Sequence, residues 1–132
     1  MKIADPWKQI ITEQFLKTTI RTPSRFSLPP SSQRFLLEQM CRAFPLNKSI
    51  QIRPLRLAGL RAEEIKPETE ATQLILHIHG GAFFLGSMNT HRAFVSDLAA
   101  STQMQVIHLD YPLSPEHPYP EAIDALFDVY LL

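Results

Sequence analysis

A run of apolar residues that ends at two adjacent glycines is the feature that most limits how this chain can fold. Residues 74–79 read Leu-Ile-Leu-His-Ile-His, and Gly80 and Gly81 follow directly. Such a short, dense run is typical of a strand that is buried on both faces. A stretch with Phe94, Val95 and Leu98 at helical spacing follows, and then a second apolar run at residues 105–110. Strand, helix and strand in this order predict a βαβ unit with two parallel strands.

The elements around this unit can also be predicted. Two amphipathic helices are expected at residues 6–19 and at 31 or 32–44, and strands at about 50–57 and 60–65. Pro54 makes the first strand an edge or irregular strand, and Gly59 is expected in the turn after it. Residues 63–72 read as a polar surface connection. The remaining expectations are a cap at Asn89 or Thr90 for the middle helix, and a last helix after Pro120 with an apolar face of Ala122, Ile123, Leu126, Val129 and Tyr130.

This order of elements predicts a division into a helical lead-in, residues 1–48, and an α/β core, residues 49–132. Composition limits the partners, because 13 basic and 13 acidic residues cancel. No long-range field is then expected to attract nucleic acid or an anionic membrane. Charges scattered through residues 1–20 argue against a signal peptide, so a cytoplasmic protein is predicted. Cys41 is the single cysteine, and we expect it to be a small buried apolar residue.

The two glycines suggest a chemical role for the end of the first parallel strand. Without a Cβ, the backbone can turn sharply there and direct consecutive N–H groups at one point. Acyl transfer builds negative charge on a carbonyl oxygen, and fixed N–H donors at that oxygen form an oxyanion hole. A plain turn from strand to loop uses the same residues, so the glycines alone do not decide between the two.

A second motif favours the chemical role. Residues 110–120 read Asp-Tyr-Pro-Leu-Ser-Pro-Glu-His-Pro-Tyr-Pro, which closely resembles the Asp-Tyr-Arg-Leu-Ala-Pro-Glu-His-Pro-Phe-Pro segment of hormone-sensitive-lipase-like esterases. In that family the segment follows a His-Gly-Gly-Gly motif at about the distance seen here. The resemblance covers about residues 50–132 and implies part of an α/β-hydrolase sheet. The two N-terminal helices would then correspond to the family's cap, and no cofactor is implied.

The resemblance assigns roles within residues 79–84. Gly80 and Gly81 would supply the N–H donors of the oxyanion hole, and His79 would support the loop by hydrogen bonding. Ala82 stands where the family usually has a third glycine, which leaves donation from this position open. Phe83 and Phe84 would line or support the acyl pocket with Ala82, or they are ordinary core aromatics. In the second motif, Pro112 and Ser114 replace the family's arginine and alanine.

The nucleophile of the family is missing from the sequence. It lies in a Gly-x-Ser-x-Gly elbow, and the glycines at 59, 80, 81 and 86 contain no pair with that spacing. The catalytic acid and histidine that follow the serine are missing as well. The chain therefore resembles the truncated N-terminal half of an esterase, and we expect it to be inactive alone. Asp110, Glu116 and His117 match the family's structural segment and are not expected to be catalytic.

Two other functions remain open. His77 and His79 lie on one face of the predicted strand, as in some metal-dependent hydrolases, with His91, His108, His117 and Cys41 as further candidates. No familiar ligand set is completed, so no metal is predicted. Alternatively, the chain is a non-catalytic remnant or the association half of a split hydrolase. Residues 74–79 would then form an exposed apolar edge, and the chain would self-associate or dissolve poorly.

Overall fold

The computed structural model describes residues 28–132, so the helix predicted at residues 6–19 lies outside the described part. It contains three helices, α1 (Pro30–Cys41), α2 (Met88–Thr102) and α3 (Glu121–Tyr130). Its four strands are β1 (Ile50–Leu57), β2 (Leu60–Pro67), β3 (Leu74–Ile78) and β4 (Gln105–Asp110). In the described part, no helix is long and apolar enough to cross a membrane.

The strands form one mixed sheet in the order β1-β2-β4-β3. β1 and β2 are an antiparallel hairpin, β2 and β4 are antiparallel, and β3 and β4 are parallel. The α/β class and the parallel βαβ unit, β3-α2-β4, are therefore confirmed. The edge position of β1, predicted from Pro54, is confirmed too, since among the described strands β1 pairs only with β2.

The expectation that β3 is buried on both faces is wrong for the described residues. β3 occupies an edge of the sheet and pairs only with β4, so Leu74 is 62% exposed and Ile78 46% exposed. β4 is the buried centre instead, and its residues from Val106 to Leu109 are at most 8% exposed. An apolar run alone does not distinguish these two positions in a sheet.

The two faces of the sheet carry separate apolar clusters. On one face, Val95 and Ala99 of α2 pack on Ile65 and Val106. On the other face, Val129 of α3 packs on Ala62, Ile107 and Leu109. The helices therefore lie on opposite sides of the sheet, which is the layering typical of an α/β fold.

Buried carboxylates correct the interpretation of residues 63–72 as a surface connection. Residues up to Pro67 belong to β2, and Glu63 and Glu64 are 8% and 6% exposed. Both carboxylates are compensated. Arg92 of α2 holds Glu63 through two hydrogen bonds, and Glu64 contacts Arg53, Lys66 and Gln105. A polar sequence is thus compatible with a buried strand when partners come from distant elements.

Several helix boundaries and faces also differ from the expectations. α1 ends at Cys41 rather than at residue 44, and Cys41 is half-buried rather than buried. The cap of α2 is Ser87, not Asn89 or Thr90, because the side chains of Ser87 and Thr90 bond each other's backbone amides in a capping box. Three residues predicted to be inward are exposed instead: Phe94 (60%), Ile123 (44%) and Tyr130 (73%).

Candidate active site

The loop that leaves β3 is a tight turn closed on one carbonyl oxygen. The amides of Phe84 and Leu85 donate to the carbonyl of Gly81 at 3.1 and 2.8 Å. Gly81 has φ +135°, and Ala82 and Phe83 have φ of 53° and 61°. A left-handed backbone at two successive residues that carry side chains costs free energy. Such strain occurs where the surrounding contacts hold the backbone in place.

Two glycines in this loop are required by space. A Cβ at Gly81 would lie 1.9 Å from the carbonyl oxygen of Leu85. A Cβ at Gly86 would lie 2.5 Å from the carbonyl oxygen of Gly80 and 2.7 Å from Nδ1 of His79. At Gly80 a Cβ would meet nothing within 4 Å. The close approach of backbone to backbone thus depends on Gly81 and Gly86, whereas Gly80 would accept a side chain.

Three consecutive peptide groups at the start of the loop are fixed through their carbonyls. The carbonyl of His79 accepts from the Tyr111 hydroxyl at 2.7 Å, that of Gly80 lies 3.0 Å from Nδ1 of His79, and that of Gly81 closes the turn. In a trans peptide the N–H points opposite to the C=O. The amides of Gly80, Gly81 and Ala82 are therefore directed away from these contacts, and within residues 28–132 they donate to no acceptor.

His79 is enclosed at the base of this loop. Its ring is stacked on Tyr111 with centroids 4.3 Å apart, and the residue is only 2% exposed. Burial lowers the pKa of His79, and the opposing effects of the Gly80 carbonyl and Asp110 offset only part of this. The imidazole is therefore neutral near pH 7, with the proton assigned to Nδ1 because the Gly80 oxygen is an acceptor.

The segment at residues 110–120 holds the loop from the other side. Besides the Tyr111 hydroxyl, the amide of Ser114 donates to the carbonyl of Phe83 at 2.8 Å. Asp110 accepts from the amide of Met88 at 3.3 Å, at the positive end of the α2 dipole. No separate role is predicted for Tyr111 from the sequence, although its place directly after Asp110 in the second motif is a usable signal.

The aromatic residues of the loop lie at its surface. Phe83 is 48% exposed and approaches Tyr111 edge to face, with centroids 6.1 Å apart. Phe84 is half-buried and Ala82 is exposed. These residues border the three free amides, as a role in contacting substrate would require, and Phe83 is not part of the described core.

The polar residues of the second motif are each bound to a different partner. Glu116 pairs with Arg34 at 2.9 Å, His117 with Glu121 at 2.8 Å, and Asp110 with the α2 terminus. Glu116 has a lowered pKa because of a hydrogen bond to its own backbone amide, with Arg34 contributing next. These contacts fit a structural role for the segment.

Four histidines lie together between the sheet and α2. The ring of His77 is 4.8 Å from that of His108 and 6.1 Å from that of His91, and His91 is 5.4 Å from His79. Within the described residues, no group of three or more His, Cys, Asp or Glu side chains is arranged to hold a metal ion. His108 is fully buried with no described partner for either ring nitrogen, and burial lowers the pKa of His108 to about 3.

Comparison with known proteins shows which proteins this chain resembles. Residues 75–132 match the model of an α/β-hydrolase-fold family. An esterase of Acinetobacter venetianus (strain RAG-1) is 67% identical over 130 residues, which are 98% of this chain and 43% of that relative. The chain thus spans less than half of the relative's length.

Solved structures give the same result. An esterase from the bacterial hormone-sensitive lipase family is 33% identical with a TM-score of 0.74, over 89% of this chain and 40% of that one. The structure of EstE5-PMSF is 32% identical with a TM-score of 0.81, over 97% and 43%. The chain is therefore similar over most of its length to part of known esterases, one of them from the bacterial hormone-sensitive lipase family, and residues 75–132 match the α/β-hydrolase fold.

Proposed function

We propose that this chain supplies the oxyanion hole of a carboxylic ester hydrolase, with the catalytic serine, acid and histidine coming from the part of the fold that its sequence does not contain. The proposal is carried by the three consecutive amides of Gly80, Gly81 and Ala82, which have no described acceptor and are oriented by anchored carbonyls. A substrate carbonyl oxygen that becomes negative in a tetrahedral intermediate is the acceptor that such a group fits.

Fixed N–H donors lower the reaction barrier because they need no reorganisation when negative charge develops on the carbonyl oxygen. The loss of one such donor typically costs about 3–4 kcal/mol of barrier stabilisation. In our proposal Gly80 and Gly81 are donors, and the left-handed Ala82 contributes a third N–H in place of the family's glycine. Ala82, Phe83 and Phe84 border the acyl group. His79 keeps the peptide group that carries the Gly81 N–H in place through its bond to the Gly80 carbonyl.

The chain alone is expected not to hydrolyse esters, since it offers no activated nucleophile. The test uses p-nitrophenyl butyrate, an ester with which crystals of EstE5 were soaked. The pure chain should give no turnover, and addition of the remaining C-terminal part of the Acinetobacter esterase should restore it. Turnover by the chain alone would contradict the proposal. Turnover of the reassembled protein that survives Gly80→Pro, which removes an N–H, would refute the assignment of Gly80.

A second function, association with another polypeptide, is favoured by the open side of the sheet. Within residues 28–132 one edge of β3 is unpaired, with Leu74 62% exposed and Ile78 46% exposed. On the adjoining helix α3, Ile123, Phe127 and Tyr130 are at least 44% exposed at a helical spacing. An unpaired apolar strand edge is a template for pairing with another strand. We also propose that the protein is cytoplasmic. A free cysteine such as Cys41 is common there, because cytosolic thiols are kept reduced.

The pure chain is accordingly expected to form oligomers or aggregates, because no described element covers this edge. Leu74→Lys should shift the chain towards monomer in light scattering, since a lysine at an edge disfavours strand pairing. Leu46→Lys is the matched control, because Leu46 is 43% exposed and lies outside the sheet. A monodisperse, cooperatively folded monomer of the unmodified chain would count against the association function.

A further inference from the structure

The guanidinium of Arg34 connects three parts of the molecule. Arg34 lies in α1, and its Nε donates to the carbonyl of Phe84 at 2.7 Å. One terminal nitrogen donates to the carbonyl of Ser114 at 2.5 Å, and the other pairs with Glu116 at 2.9 Å. The side chain is 22% exposed. All three nitrogens of one side chain are thus engaged, two of them by backbone carbonyls of the loops that frame the candidate oxyanion hole.

These bonds lead directly to the free amides. The peptide group whose carbonyl is held by Arg34 carries the N–H of Leu85, and that N–H donates to the carbonyl of Gly81 at 2.8 Å. The Gly81 carbonyl belongs in turn to the peptide group that carries the free N–H of Ala82. Since hydrogen-bonded peptide groups polarise one another, a positive charge at the start of this chain strengthens the last N–H as a donor.

The same helix also holds the far end of the loop. One turn after Arg34, Glu38 accepts from the Ser87 hydroxyl at 2.8 Å, and Ser87 is the residue that caps α2. Residues 110–120 contain no arginine or lysine of their own. A planar, permanently charged fork is the group best suited to bond two carbonyls and a carboxylate together, and a lysine cannot reproduce that geometry.

We propose that Arg34 is a positioning residue for ester hydrolysis, which holds and polarises the oxyanion loop from α1 without touching substrate. This inference rests on the proposed function. It predicts that α1 contributes to the rate of the chemical step, in addition to any role in covering the substrate pocket. Loss of the guanidinium frees the Phe84 carbonyl and loosens the turn at Gly81.

Arg34→Ala is expected to lower kcat of the reassembled enzyme by about 10- to 100-fold with little change in KM, since displaced donors weaken transition-state contacts more than ground-state binding. Arg34→Lys should recover only part of kcat. Arg42→Ala is the matched control, because Arg42 is an exposed arginine at the end of the same helix. Equal losses of kcat in Arg34→Ala and Arg42→Ala would overturn the proposal, as would a rise in KM alone.

Hydrogen exchange on the isolated chain tests the same contacts without catalysis. The amides of Phe84 and Leu85 should exchange faster in Arg34→Ala than in Arg42→Ala, while amides of β4 keep their protection. Unchanged exchange at both loop amides would overturn the inference about Arg34. If the unmodified chain gives no turnover after reassembly but Arg34→Ala still accelerates loop exchange, the esterase proposal fails and the hold of Arg34 on the loop stands.

Discussion

Replacing Gly81 with alanine is expected to lower kcat of the reassembled esterase by about 100- to 1,000-fold, the loss typical of an oxyanion-hole donor that is removed. The added Cβ would lie 1.9 Å from the Leu85 carbonyl oxygen, at a residue whose φ is +135°. The turn must open to accept it, and the amides of Gly81 and Ala82 then lose their direction. Steady-state hydrolysis of p-nitrophenyl butyrate measures the effect.

Gly80→Ala provides the control for this experiment. It adds the same methyl group one residue earlier, keeps the N–H, and meets nothing within 4 Å. Its kcat should therefore stay within about threefold of the unmodified value, corresponding to less than about 1 kcal/mol. Equal losses of kcat in the two variants would mean that the backbone direction at Gly81 does not determine the rate. The assignment of the oxyanion hole to this loop would then fail.

Acidification is expected to destabilise the chain strongly through His108. The pKa of the buried imidazole is lowered from 6.5 to about 3, so between these values the unfolded chain binds more protons than the folded one. The stability due to neutral His108 is complete above pH 6.5 and is lost as pH falls towards 3. Lowering the pKa from 6.5 to about 3 corresponds to a loss of about 5 kcal/mol at most.

The groups that face His108 act in the same direction. Burial lowers its pKa most, followed by the nearby charges of His77, His79, His91 and Arg92. Glu63, opposite His108 in the sheet, is already paired with Arg92. His108→Leu should therefore flatten the pH dependence of urea unfolding between pH 4 and 7. An unchanged slope in His108→Leu would contradict this explanation.

The predictable part of the fold is the part encoded by local patterns. The apolar runs at β3 and β4, the helix between them and the hairpin turn at Gly59 follow from residue types within a few positions. The burial of Glu63 does not, because its compensation comes from Arg92, 29 residues later in the chain. The edge position of β3 depends on which strands are its neighbours, and the composition of the strand itself does not specify this.

In the candidate site, too, some features follow from local sequence and others depend on long-range contacts. The double glycine and the motif at residues 110–120 together favour an oxyanion loop on sequence alone. The contacts that orient its amides come from Tyr111, Ser114 and Arg34, and the last of these lies in a helix whose sequence pattern indicated only an apolar face. A polar residue on an amphipathic helix is normally solvated. The sequence pattern of α1 therefore does not indicate that Arg34 contacts the loop.

The long-range anchoring of the loop after β3 has a consequence for the order of folding. Its bonds to Tyr111 and Arg34 span 32 and 50 residues, and Arg34 reaches Ser114 across 80 residues. Closing such long loops costs entropy before any contact compensates it, whereas the β1–β2 hairpin closes locally. The hairpin can therefore form early, while the three amides acquire their direction only when distant segments have docked. The geometry of the candidate site is then among the last features that folding produces and among the first that local unfolding removes.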